Sequence, residues 1–112
     1  MISDIINEFR RQNGVEPFYN WNPVENSHCE MHCWAMARSQ DAYHTFDCFL
    51  CGKHEAVGYK SWDNNFENTV AKLIFERFGN SQDHKNVLLK RNLSYGAVTF
   101  NWCVYVTIRG WD

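Results

Sequence analysis

The stretch YGAVTFNWCVYVTIR, residues 95–109, decides the fold class. β-Branched and aromatic residues fill it and Asn101 interrupts it near the middle, the pattern of two short strands joined by a turn. Upstream the period changes from two to that of helices. Ile2, Ile5, Ile6 and Phe9 recur at helical spacing with Asp4, Glu8, Arg10 and Arg11 opposite, and Gly14 marks a stop, so a first amphipathic helix is expected over 2–13. Asn22 with Pro23 sets up a second helix over 24–39, in which Cys29, Cys33, Met36 and Ala37 form one small-sided stripe. Such a stripe admits a sheet or another helix at close range. Phe66, Val70, Ile74 and Phe78 recur every four residues before Gly79, predicting a third helix over 66–78. A short fourth helix follows through Leu89, with Ser81 as its cap and Asp83 in its first turn. No helical period survives in 40–63, where short strands are expected at 43–46 and 55–59. Helices first and an antiparallel sheet last define an α+β class.

The 112 residues carry 11 Lys plus Arg against 13 Asp plus Glu, a formal charge of −2, and 45% are apolar. A chain of this length buries roughly two thirds of its unfolded surface, enough for one core, so a single domain over 1–112 is expected. The charge balance argues against nucleic acid as the partner, because phosphate binding needs a concentrated cationic excess. No apolar run approaches the ~20 residues of a membrane-spanning helix. Asp4, Asn7, Glu8 and Arg10 break any signal-peptide run, so the chain as written is expected in the cytoplasm unless a leader was removed. Five Cys is an odd number, so at least one thiol is free or paired with another chain.

The histidines carry most of the chemistry. His28 and His32 lie four apart on the second helix, a spacing that can grip a metal, but without the H-E-x-x-H order such a pair is more often surface decoration. Cys48, Cys51 and His54 form C-x-x-C-x-x-H, three of the four ligands of a structural zinc site, with Cys103, His32 or another chain as the fourth. A local disulfide and free thiols are the other readings of that pair. Cys29 and Cys33 read as small apolar fillers, and Lys85, Lys90 and Arg91 as a solvated basic face.

Several segments in order resemble the CAP superfamily of cysteine-rich secretory, antigen-five and pathogenesis-related proteins, in particular its short bacterial members. Cys29, Cys33, Met36, Ala37 and His44 keep the spacing of an Ala-x-x-x-Ala-x-x-Met-Ala helix and its loop histidine, with Cys in place of two Ala. His54-Glu55-Ala56-Val57-Gly58 stands where the family has Gly-Glu-Asn-Ile, and Asn80-Ser81-Gln82-Asp83-His84-Lys85-Asn86-Val87-Leu88 where it has Asn-Ser-Pro-Gly-His-Arg-x-Asn-Ile-Leu. Gly96-Ala97-Val98 and Tyr105-Val106-Thr107 complete the series.

The resemblance implies a three-layer α-β-α sandwich with a small antiparallel sheet and a cleft presenting His44, Glu55 and His84. Two imidazoles and a carboxylate suit Zn²⁺ or another divalent metal, with one position left open for water or a small-molecule ligand. A second cleft carboxylate is expected near Ser81, with Glu76 and Asp83 offset from its place. Imidazole binds metal only when neutral, so affinity is expected to fall below pH ~6.5. The resemblance also points outside the cell. Two other functions are open: a peptidase or esterase using His44, Glu55 and His84 with Ser81 as nucleophile, and a protein-interaction module stapled by zinc at Cys48, Cys51 and His54. Against the nucleophile stands Ser81 as helix cap, its hydroxyl engaged by a backbone N–H.

Overall fold

The computed structural model describes residues 1–45 and 54–112. Within them the elements run α1 (Ile2–Gln12), α2 (Pro23–Ser39), β1 (Glu55–Ser61), α3 (Phe66–Lys72) with a π-helical continuation (Leu73–Phe78), α4 (Gln82–Leu88), β2 (Asn92–Phe100) and β3 (Cys103–Trp111). The three strands form one antiparallel sheet in the order β1-β3-β2. The α+β class is thus observed.

β2 and β3 are joined by Asn101 and Trp102, both at positive φ (53° and 62°), the backbone of a type I′ hairpin turn. Asn is favoured there; Trp102 pays a steric cost that glycine would avoid. Along β3 successive side chains enter different clusters. Val104, Val106 and Ile108 join Ile6, Phe9, Val70, Leu73, Ile74, Phe78 and Leu88 in the larger one. Tyr105 joins Cys33, Met36, Ala37 and Val98 in the smaller one, contributed by α2.

The small-sided stripe of α2 meets the sheet as its composition suggests. Asn22 caps the helix by accepting from the N–H groups of Val24 and Glu25, with Pro23 in the first turn. Cys29 Sγ lies 3.3 Å from Ser94 Oγ, and Cys33 Sγ lies 3.3 Å from both Gly96 O and Thr107 Oγ1. At Gly96 the backbones come so close that a Cβ would collide with main-chain atoms of Cys29 and Glu30. Burial pushes the Cys33 thiol up to about 12, so it serves packing rather than reactivity.

Four expectations are corrected. The predicted third helix changes character after Lys72: its last residues widen to a π turn in which Gly79 N–H reaches Ile74 O at 2.9 Å. Arg10, expected on the polar face of α1, is buried, because its guanidinium donates to Glu16 O, Leu88 O and Lys90 O. Tyr43, His44 and Thr45 form no strand, since the Thr45 N–H turns to a side chain instead of a neighbouring strand, and Phe46 lies outside the described residues. Finally, His32 is not surface decoration: it is buried, with Nε2 2.6 Å from Tyr43 O, while His28 stays exposed, so the two do not act as a pair.

Among the described residues no helix is long and apolar enough to cross a membrane.

Candidate functional site

The loop after α2, the start of β1 and the first turn of α4 converge on a cavity of about 460 Å³. His44, His54, Glu55, Ser81, Asp83, His84, Asn86, Val87 and Lys90 line it. The structure therefore brings His44, Glu55 and His84 together, although 40 residues separate the first from the last in sequence. Cys48 and Cys51 lie outside the described residues; His54, their expected companion, is exposed on the cavity wall.

Glu55 occupies the buried end of the constellation. Its side chain is fully buried (0% exposed), whereas that of His44 is about half exposed, at 54%. Both carboxylate oxygens are in use. Oε1 accepts from Thr45 N–H and faces His44 Nδ1, each at 3.0 Å. Oε2 accepts the Thr45 hydroxyl at 2.8 Å and Arg109 Nε–H at 3.0 Å. Burial acts to raise the carboxyl pKa, but the bonds from Thr45, Arg109 and His44 together outweigh it and hold Glu55 below the usual carboxylate value. An ionised carboxylate only accepts, so the bond to His44 places a proton on Nδ1, and in the neutral imidazole the lone pair then falls on Nε2.

His84 sits at the third position of α4 with its ring 4.9 Å from that of Phe78. Its Nδ1 is buried and has no hydrogen-bond partner among the described residues. Burial lowers its pKa, the nearby His44 lowers it further, and Asp83 opposes both. The result is an imidazole held toward its neutral form.

Ser81 stands at the N-cap position of α4, but its hydroxyl makes no capping bond; its carbonyl accepts Lys85 N–H at 2.8 Å. The expected engagement of that hydroxyl with the backbone is therefore corrected: the helix closes its first turn through main-chain groups, and the side chain stays on the cavity wall. No hydrogen bond links Ser81 to His44 or His84 among the described residues. Of the acidic residues considered for the cleft, Asp83 lines the cavity and Glu76 does not. Lys90, read as part of a solvated basic face, lines it as well and pairs with Asp112 at 3.3 Å.

Sequence reasoning missed Thr45 and Arg109. The available signal was a lone arginine ending the alternating apolar run of the last strand, directly opposite Glu55 in the β1–β3 register. Among the described residues no group of three or more His, Cys, Asp or Glu side chains is arranged to hold a metal ion. No family model matches the chain, and no curated protein matches it.

Proposed function

We propose that this chain is a CAP-type binding domain, with α-β-α layering, whose polar cleft binds a divalent cation through the two imidazoles of His44 and His84. The observation that carries this reading is the pairing of His44 Nδ1 with the buried Glu55 carboxylate at 3.0 Å. Metal-ligating histidines are typically held in this way, with one ring nitrogen donating to a carboxylate and the other left basic. Glu55 enters as the orienting group rather than as a ligand, because four donors already occupy its oxygens. The unpartnered Nδ1 of His84 and its lowered pKa favour the same use. With two protein ligands, solvent or a small-molecule ligand completes the coordination shell, and a bound cation would supply Lewis acidity there.

The polar lining favours a cation or small polar ligand over a sterol or fatty acid. For the hydrolase reading, the unbonded Ser81 hydroxyl is the supporting feature, but no base reaches it among the described residues. The reading as a zinc-stapled interaction module rests on Cys48 and Cys51, outside the described residues.

The test is calorimetric titration of Zn²⁺ into the reduced protein, the His44→Ala/His84→Ala variant and the Cys48→Ser/Cys51→Ser variant. The double histidine variant is expected to lose at least tenfold in affinity while the cysteine variant keeps the cleft site. Equal binding by wild type and the histidine variant would remove the site, and loss confined to the cysteine variant would transfer it to the loop.

A further inference from the structure

α2 buries one side against β2 and β3 and turns the other to solvent. That outer side is not polar, as a helix meeting only water would be. Met31 is 65% exposed and Trp34 40%, and Val24 is exposed two turns before Met31. The chain that leaves the helix returns along its opposite flank, where Tyr43 O lies 2.6 Å from His32 Nε2. His32 stands two residues from Trp34, about 200° around the helix.

The charges on the outer side have a particular order. Glu30, Trp34 and Arg38 stand four residues apart in one row, with an acid one turn before the tryptophan and a base one turn after it. All three are exposed, and neither Glu30 nor Arg38 forms an ion pair among the described residues. Within one helix they lie beyond the one-turn spacing at which charges pair. Reversing the direction of the row exchanges the two signs. A second α2 laid antiparallel across Trp34 therefore sets Glu30 against the partner's Arg38 and Arg38 against the partner's Glu30, with the two indoles at the crossing. The helix dipoles then run in opposite senses, which adds to the attraction, whereas a parallel pairing would oppose like charges. In the neighbouring row, Ser27, Met31 and Ala35, only Met31 is large, and its flexible thioether adapts to an aromatic surface laid on it.

We propose that the outer face of α2 is a self-association surface, through which two copies of this chain pair antiparallel about Trp34 with Glu30 and Arg38 crossing as reciprocal ion pairs. The occupant is a second copy because the charge order is its own complement under a twofold axis. A single helix pair is a small contact beside the roughly 1,200–2,000 Å² of a stable interface, so the dimer is reversible. None of these residues lines the cleft, and the inference does not depend on what the cleft binds.

The experiment is sedimentation equilibrium of the full chain, metal-free and reduced, from about 10 µM to about 1 mM. It compares wild type, Glu30→Arg, Arg38→Glu, an equimolar mixture of those two variants, and the double variant. Wild type is expected to rise from monomer toward dimer mass. Each single variant opposes like charges twice across the axis and should weaken the dimer about tenfold or more. In the mixture, and again in the double variant, every crossing joins opposite charges, so both should regain association close to that of wild type. The substituted side chains are exposed, and an unchanged urea midpoint checks that each variant keeps its fold. A wild-type monomer at every concentration overturns the proposal, and sedimentation of that monomer with lipid vesicles would give the face to a membrane instead. A dimer that the single variants leave intact overturns it as well, and so does one that they weaken with no recovery in the mixture.

Discussion

Glu55 combines burial with charge, and its replacement has consequences of two kinds. Glu55→Gln leaves Arg109 buried beside a neutral amide, a loss on the order of 3 kcal/mol in urea unfolding at pH 7. The same variant releases His44 from its carboxylate, so on the proposed cation-binding reading Zn²⁺ affinity should fall about 10- to 100-fold, as when other orienting partners are removed. The acid response follows from the direction of the pKa. A carboxyl held below its ordinary value of 4.5 contributes stability that is complete above that value and disappears as pH falls through the lower folded value. Unfolding measured from pH 7 to pH 3 should therefore show a wild-type loss below about 4.5 that Glu55→Gln lacks. Equal slopes for the two proteins would contradict this.

His44, Glu55 and His84 were reached from the sequence by ordered motifs rather than by local pattern, because nothing in the neighbourhood of each residue says that the other two are close. Thr45 and Arg109 were not reached at all. Their role depends on which residue of β1 lies opposite which residue of β3, and that pairing leaves no trace in either segment alone.

Elements were more legible, since helix and hairpin signals are local. The turn at Asn101, the cap at Asn22 and the small stripe on α2 each follow from residue chemistry within a few positions. The π-helical turn was hidden because Phe66, Val70, Ile74 and Phe78 keep a helical spacing through it; within the turn Phe75 packs edge-on against Phe9 at 5.5 Å, a contact between segments far apart in sequence. Close packing of α2 on the sheet makes Gly96 its most sensitive point. Gly96→Ala would drive a methyl into the main chain of Cys29 and Glu30, where no side chain can swing aside. The expected cost is about 3 kcal/mol or more, read from the shift in denaturant midpoint. An Ala variant as stable as wild type would show that the helix can lift off the strand freely.

Across the whole molecule, Arg10 links the first helix to the chain between α4 and β2. Its Nη1 donates to Leu88 O and Lys90 O, each at 2.7 Å, and its Nε to Glu16 O at 2.8 Å. Asn7 adds a reciprocal pair with Phe18, Nδ2 to the carbonyl at 2.9 Å and Oδ1 from the amide at 2.8 Å. Arg10→Met keeps much of the apolar stem but leaves three carbonyls without their donor, so a loss of about 3 kcal/mol is expected in urea unfolding. If α1 remains docked, the slope of the transition stays unchanged; protection from amide exchange in α1 would check this.

Glu55 and Arg109 face each other across the two strands, and alternate residues of both strands point to opposite sides of the sheet. Sliding β1 along β3 by one residue would send Glu55 and Ala56 to exchange sides, exposing an apolar wall and stripping His44 of its anchor in a single error. On the proposed reading, competence to bind would be inseparable from correct strand alignment: a misthreaded copy would announce itself by a His44 cut loose from Glu55 as well as by a sticky surface.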